Sequence, residues 1–150
     1  MKKFFYLAVL LTGLSATAVA MPTPPISEKV LQAFKQTFGE AENVSWKEAD
    51  NQCQANFKLS DIQVRAIYDN EGNLLETVRY YTEKNLPPNI LAKLKKRHGS
   101  KEIFGVTEIS SEYDMAYHIT LKDEKNWYTI KSDPYGNLTQ TDKFKRAPEQ

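Results

Sequence analysis

Two stretches decide the fold: ISEKVLQAFKQTFG (residues 26–39) and LPPNILAKLKKRHG (residues 86–99). Val30 falls against Ile90, Leu31 against Leu91, Phe34 against Leu94 and Gly39 against Gly99, at a constant offset of 60. A second correspondence follows. DNEGNL (69–74) matches DPYGNL (133–138) at an offset of 64. A fixed period near 60 residues predicts one supersecondary unit used twice.

Each copy opens on a helix. Val30, Leu31, Phe34 and Phe38 recur at helical spacing and form one apolar stripe. Ser27 is placed to cap the first helix, and Gly39 and Gly99 to end the helices in a left-handed conformation. Pro87 and Pro88 suit a first turn, where a missing N–H costs little. Strands come next. Ala55, Phe57 and Leu59 alternate with Gln54, Asn56 and Lys58, and Ile62, Val64, Ala66 and Tyr68 alternate with Gln63 and Arg65. Such a period of two marks a sheet with one buried face. A shorter strand precedes them at 44–48, and another runs over 74–82 after a turn in which Gly72 takes positive φ. In the second copy Tyr117, Ile119 and Leu121, then Tyr128 and Ile130, read the same way, followed by the 133–137 turn and a strand ending at Phe144. The expected fold class is therefore α+β: two tandem repeats, each one helix packed on an antiparallel sheet of about four strands. The expected divisions are a signal peptide at 1–20, repeats at 21–82 and 83–144, and a loose tail at 145–150.

The N-terminus carries the marks of export. Lys2 and Lys3 precede an apolar run from Phe4 onward, and Ala18-Val19-Ala20 is an A-x-A cleavage site. The strongly apolar part is shorter than the roughly 20 residues of a membrane span, so no stable anchor is expected once it is cut. No cysteine lies near the cut to carry a lipid. Cleavage would remove two lysines and no acid, taking the net charge from +1 to about −1. A near-neutral chain with interspersed lysines and glutamates has no overall field for nucleic acid or acidic lipid. Cys53 is the one cysteine of the chain. It cannot form an internal disulfide and reads as a small hydrophobe in a strand.

No catalytic constellation is present. His98 ends a helix stripe, His118 lies on the polar side of a strand, and no H-E-x-x-H, Cys/His metal spacing or G-x-S-x-G occurs. Ser110-Ser111-Glu112 has no neighbouring base. Asp69 and Asp133 sit in loops too short for calcium, and turn chemistry accounts for them. Sequons at Asn43 and Asn137 have no weight beside a bacterial-looking leader. No catalytic residue, metal or cofactor is expected, and the chain reads as a non-enzyme.

The aromatic residues hold the remaining signal. Trp127 precedes Tyr128, whose counterpart Val64 points inward, so Trp127 should point to the other face of its strand. His118 and Thr129 reach that face by the same register, and Arg65 matches it in the first copy. Trp127, His118, Thr129 and Arg65 are the candidate partner-binding residues. Two placements stay open: Trp127 on an exposed contact surface, or buried where the two copies meet.

The twice-used helix ending in Phe38-Gly39 and His98-Gly99, the Asp-x-x-Gly-Asn-Leu turns and the leader together resemble the PepSY-like family of small exported bacterial proteins. That group is related to the beta-lactamase-inhibitor-like fold. The resemblance covers about residues 26–144 and brings no catalytic residues. It implies a periplasmic or secreted binding module whose partner is another exported protein or peptide, inhibitory or regulatory toward it, such as a peptidase. The alternative function is a small-ligand carrier with an aromatic-lined pocket.

Overall fold

The computed structural model describes residues 26–147; the leader and its cleavage site lie outside them. Helix α1 spans Glu28–Thr37, and strands β1 (Glu42–Ala49), β2 (Gln52–Leu59), β3 (Ile62–Asp69) and β4 (Leu74–Tyr81) follow. A single 3-10 turn at Glu83–Asn85 leads to α2 (Pro88–His98). Then come β5 (Glu102–Ser111), β6 (Met115–Lys122), β7 (Asn126–Ser132) and β8 (Leu138–Lys145).

The strands make one antiparallel sheet of eight in the order β1 to β8. This overturns the expected pair of helix-on-sheet repeats. The joining contact is β4 against β5, paired at six positions from Glu76↔Ser111 to Tyr81↔Val106. The reason lies in the edges. Two four-stranded sheets would each leave a strand with a row of unpaired N–H and C=O groups. Pairing β4 with β5 satisfies both rows, so the sheet runs through and dominates the molecule.

The register places both helices on one side. The pairs Phe57↔Val64, Val64↔Arg79, Arg79↔Glu108 and Glu108↔Tyr117 run across the sheet on a single face. Under α1, the Phe34 ring meets Phe57 at 5.0 Å and Trp46 at 5.1 Å between centroids. Ile90 and Leu94 of α2 join the same core as Val106, Ile119, Leu121 and Ile130. Among the described residues the opposite face carries no helix. Cys53 is buried in β2 as a small apolar residue, and burial first, with Glu48 second, pushes its thiol pKa up.

The helices differ in detail from their sequence reading. The Ser27 hydroxyl accepts from the Val30 N–H, as a capping residue should. Leu31 is 43% exposed and leaves the stripe to Val30 and Phe34. Gly39 and Gly99 are not left-handed; Gly99 sits at φ −60. Close approach explains the residue there, because a Cβ on Gly99 would lie 2.5 Å from the Lys95 carbonyl oxygen. Gly72 does take positive φ, at +89°.

Both outer strands are interrupted. β1 shifts register between Glu42 and Ser45, with Asn43 at φ +55. β8 has an extra residue, Thr141, between Gln140 and Asp142, and its hydroxyl turns in to donate to the Thr129 carbonyl. Such bulges spoil the template that an open edge offers.

Candidate functional site

The face without helices is built from rows of cross-strand neighbours. Arg65 stands opposite Val78, Val78 opposite Ile109, and Ile109 opposite Ala116. Val78 is buried to 1% exposure although no helix covers it. Beside it the Arg65 Nε is buried and has no hydrogen-bond partner among the described residues. The next row is Gln63, Tyr80, Thr107, His118 and Lys131, in which Tyr80 is 42% exposed. A row of small residues follows: Gly105, Thr120 and Thr129. A Cβ added at Gly105 would meet nothing within 4 Å, so the surface is open above this row.

The last row holds the rings. Lys122 is opposite Trp127, and Trp127 opposite Phe144. A bulge in β5 between Ile103 and Gly105 turns Phe104 to the same side. Its ring meets Trp127 edge-on at 4.9 Å and an interplanar angle of 80°. Lys122 Nζ lies 5.3 Å over the Phe104 ring, and the Arg146 guanidinium 5.6 Å over Trp127. Such contacts hold rings in place while leaving their edges available. Phe104 and Phe144 remain 57% and 59% exposed. The face is thus a row of small residues lying between Tyr80 and His118 on one side and Phe104, Trp127 and Phe144 on the other.

Trp127, His118, Thr129 and Arg65 therefore share one face. Trp127, Thr129 and His118 lie close together on β6 and β7, and Arg65 stands on β3, beyond β4 and β5. Trp127 is half-buried by Phe104 and Arg146, within its own half of the sheet. Sequence reading missed Tyr80, Phe104 and Phe144. Phe104 was hidden because the bulge breaks the alternation; Phe144 was seen only as a strand end.

On the helix side, the join of β4 and β5 holds a buried polar cluster. Glu108 is 5% exposed. It accepts from Arg79 Nη1 at 2.9 Å and from the Tyr81 hydroxyl at 2.5 Å. Burial first, then the hydrogen bond to Glu108, pushes the Tyr81 pKa up strongly. Both carboxylate oxygens are engaged, so the group serves as internal structure rather than a free base. His98 is half-buried at the end of α2, and burial, then the charges of Lys101 and Arg97, hold its pKa down. The Asp69 carboxylate accepts from the Glu71 and Asn73 N–H groups and from Asn73 Nδ2; Asp133 does the same with Asn137. These bonds lower both pKa values and close the turns.

Solved structures share this architecture. A BLIP-like protein of Bacteroides fragilis NCTC 9343 superposes with a TM-score of 0.65 at 17% identity, over 84% of this chain and 92% of that one. The fold is BLIP-like. A DUF2874 family protein of Bacteroides ovatus ATCC 8483 gives 0.62 at 18% identity, over 83% and 89%. A protein described as periplasmic, from Bacteroides eggerthii DSM 20697, gives 0.61 at 14%, over 79% and 88%. These identities carry the BLIP-like fold and nothing finer. No family model matches the chain, and no curated protein matches it.

Proposed function

We propose that this chain is an exported, non-enzymatic binding module that holds another exported protein or peptide against the helix-free face of its sheet, as an inhibitor or regulator. The observation that carries the reading is the ring row Phe104, Trp127 and Phe144 facing Tyr80 across small residues, on the face that neither α1 nor α2 covers. Rigid amphipathic rings offer large contact area at small entropic cost. The leader at 1–20 and the neighbour described as periplasmic support export. PepSY-like kinship, and a peptidase as target, extend the same reading by analogy of fold. The carrier alternative finds less support. Phe34, Phe38, Trp46 and Phe57 touch one another under α1 and fill the space an aromatic-lined pocket would need.

Site-specific photocrosslinking tests the proposal. A photoreactive phenylalanine at Tyr80 or Phe144 should trap a discrete partner in cells, and one at the α1 surface position Lys35 should not. Adducts forming only at Lys35 would move the interface to the helix side and overturn it.

A further inference from the structure

The even mixing of charge along the chain breaks down at α2. This helix holds Lys93, Lys95, Lys96 and Arg97 and no acidic residue. Near-neutral charge over the whole chain does not describe the field at this surface.

The two helices meet their facing turns differently. At α1, Lys29 is ion-paired with Glu71 of the 69–73 turn. At α2, Lys93 Nζ donates to the Tyr135 carbonyl at 2.7 Å, and Arg97 Nη1 to the Leu138 carbonyl at 2.9 Å. Neutral carbonyls orient these cations and leave their charge uncancelled. The Lys93 stem lies across Gly136, where a Cβ would come within 2.9 Å of its Cδ; Gly136 is at φ +79. Lys93, Lys96 and Arg97 stand at i, i+3 and i+4, one face of the helix. With Gly136, Asn137 and Leu138 they line a cleft of about 530 Å³ that contains no carboxylate. Asp133, the acid of that turn, has both oxygens taken by Asn137.

We propose that this cleft is an anion site that takes a phosphate group. A phosphate monoester carries between one and two charges near neutral pH, with its second pKa at about 6, and offers three oxygens. Two ammonium groups and a guanidinium fork offer one cationic donor group to each of the three oxygens. A carboxylate brings one charge and two oxygens, and so offsets less of the cationic charge and leaves one donor group without an oxygen. Inorganic phosphate and the monoester headgroup of phosphatidic acid share this chemistry.

The test is an NMR titration of the ¹⁵N-labelled protein with inorganic phosphate, against sodium acetate at equal ionic strength. Phosphate should give saturable shifts at the Gly136, Asn137 and Leu138 amides, at least fivefold tighter than acetate. Lys96→Glu should weaken binding at least fivefold. Lys95→Glu makes the same charge change one residue away, at a lysine paired with Glu83 and outside the cleft, and should weaken it less than twofold. In flotation with phosphatidylcholine vesicles, binding that needs added phosphatidic acid and is lost in Lys96→Glu marks the headgroup as the source. Phosphate binding without flotation marks the free ion. Absent saturable shifts, equal binding of acetate, or equal weakening by Lys95→Glu would each overturn the proposal.

Discussion

Arg79 and Glu108 are direct cross-strand partners on β4 and β5, and their side chains meet at 2.9 Å on the helix side of the sheet. The pair lies where the sheet continues from one half into the other. A slip of β5 by one residue against β4 would send Glu108 to the face opposite Arg79. Removing one partner strands the other. Glu108→Ala should lower stability by about 2–4 kcal/mol, the lower part of the range applying because Arg79 keeps partial access to water. Urea denaturation of the single and double alanine variants measures the coupling; a value near zero would show the pair to be passive.

Phe34 and Leu31 are close in sequence and far apart in consequence. Phe34→Ala empties a site bounded by three rings and should cost about 3–5 kcal/mol. Leu31→Ala, at an exposed position, should cost under about 1 kcal/mol. Denaturant titration of both checks the helix orientation, since reversed values would mean that α1 is rotated on the sheet.

Acid stability should depend on the β6–β7 turn. The Asp123 carboxylate accepts from the Tyr128 hydroxyl at 2.6 Å and from the Lys125 and Asn126 N–H groups. The Tyr128 bond leads in lowering its pKa from 3.8 to about 2. A depressed folded-state value means that the stabilisation is complete above about pH 4 and is lost as pH falls toward 2. Asp123→Asn should flatten the stability profile across that window. An unchanged acid limb would remove Asp123 from the account.

Trp127→Ala separates contact from packing. The ring is held by Phe104 and Arg146 at the surface, so the melting temperature should stay within a few degrees of wild type. Truncating an anchor Trp typically costs a complex at least ~2 kcal/mol, so binding to the crosslinked partner should weaken more than about tenfold. A large fall in melting temperature with binding intact would assign the ring to structure.

Export makes a plain prediction. The N-terminus of the protein recovered from outside the cytoplasm should begin at or within a few residues of Met21. Edman sequencing that found Lys2 would refute cleavage.

The helices, most strands and both Asp-Asn turns were legible in the sequence because short-range signals set them: apolar stripes, alternation and Gly72. The continuous sheet was not. Nothing local tells β4 whether its free edge will be covered, left open or joined to β5. β5 was also the least readable strand. Its inward position 108 is a glutamate, and Phe104-Gly105 inserts a residue that breaks the period of two. The candidate face was half legible. Register placed Trp127, His118 and Thr129 correctly relative to one another, since one strand's parity fixes the side. Phe104 needed the bulge to be known, and Tyr80 needed the β4–β5 pairing.

Because each strand pairs with its neighbour in the chain, the sheet can be assembled in a single direction. As the chain emerges N-terminus first, β1 to β4 can zip together over short loops. The free edge of β4 then waits only for the connecting turn and α2 to pass before β5 can add to it. No early strand must hold a place open for a late one. Such sequential closure keeps loop entropy small at every step, and the slowest step should be the docking of β5, where Glu108 must find Arg79 and Tyr81 together.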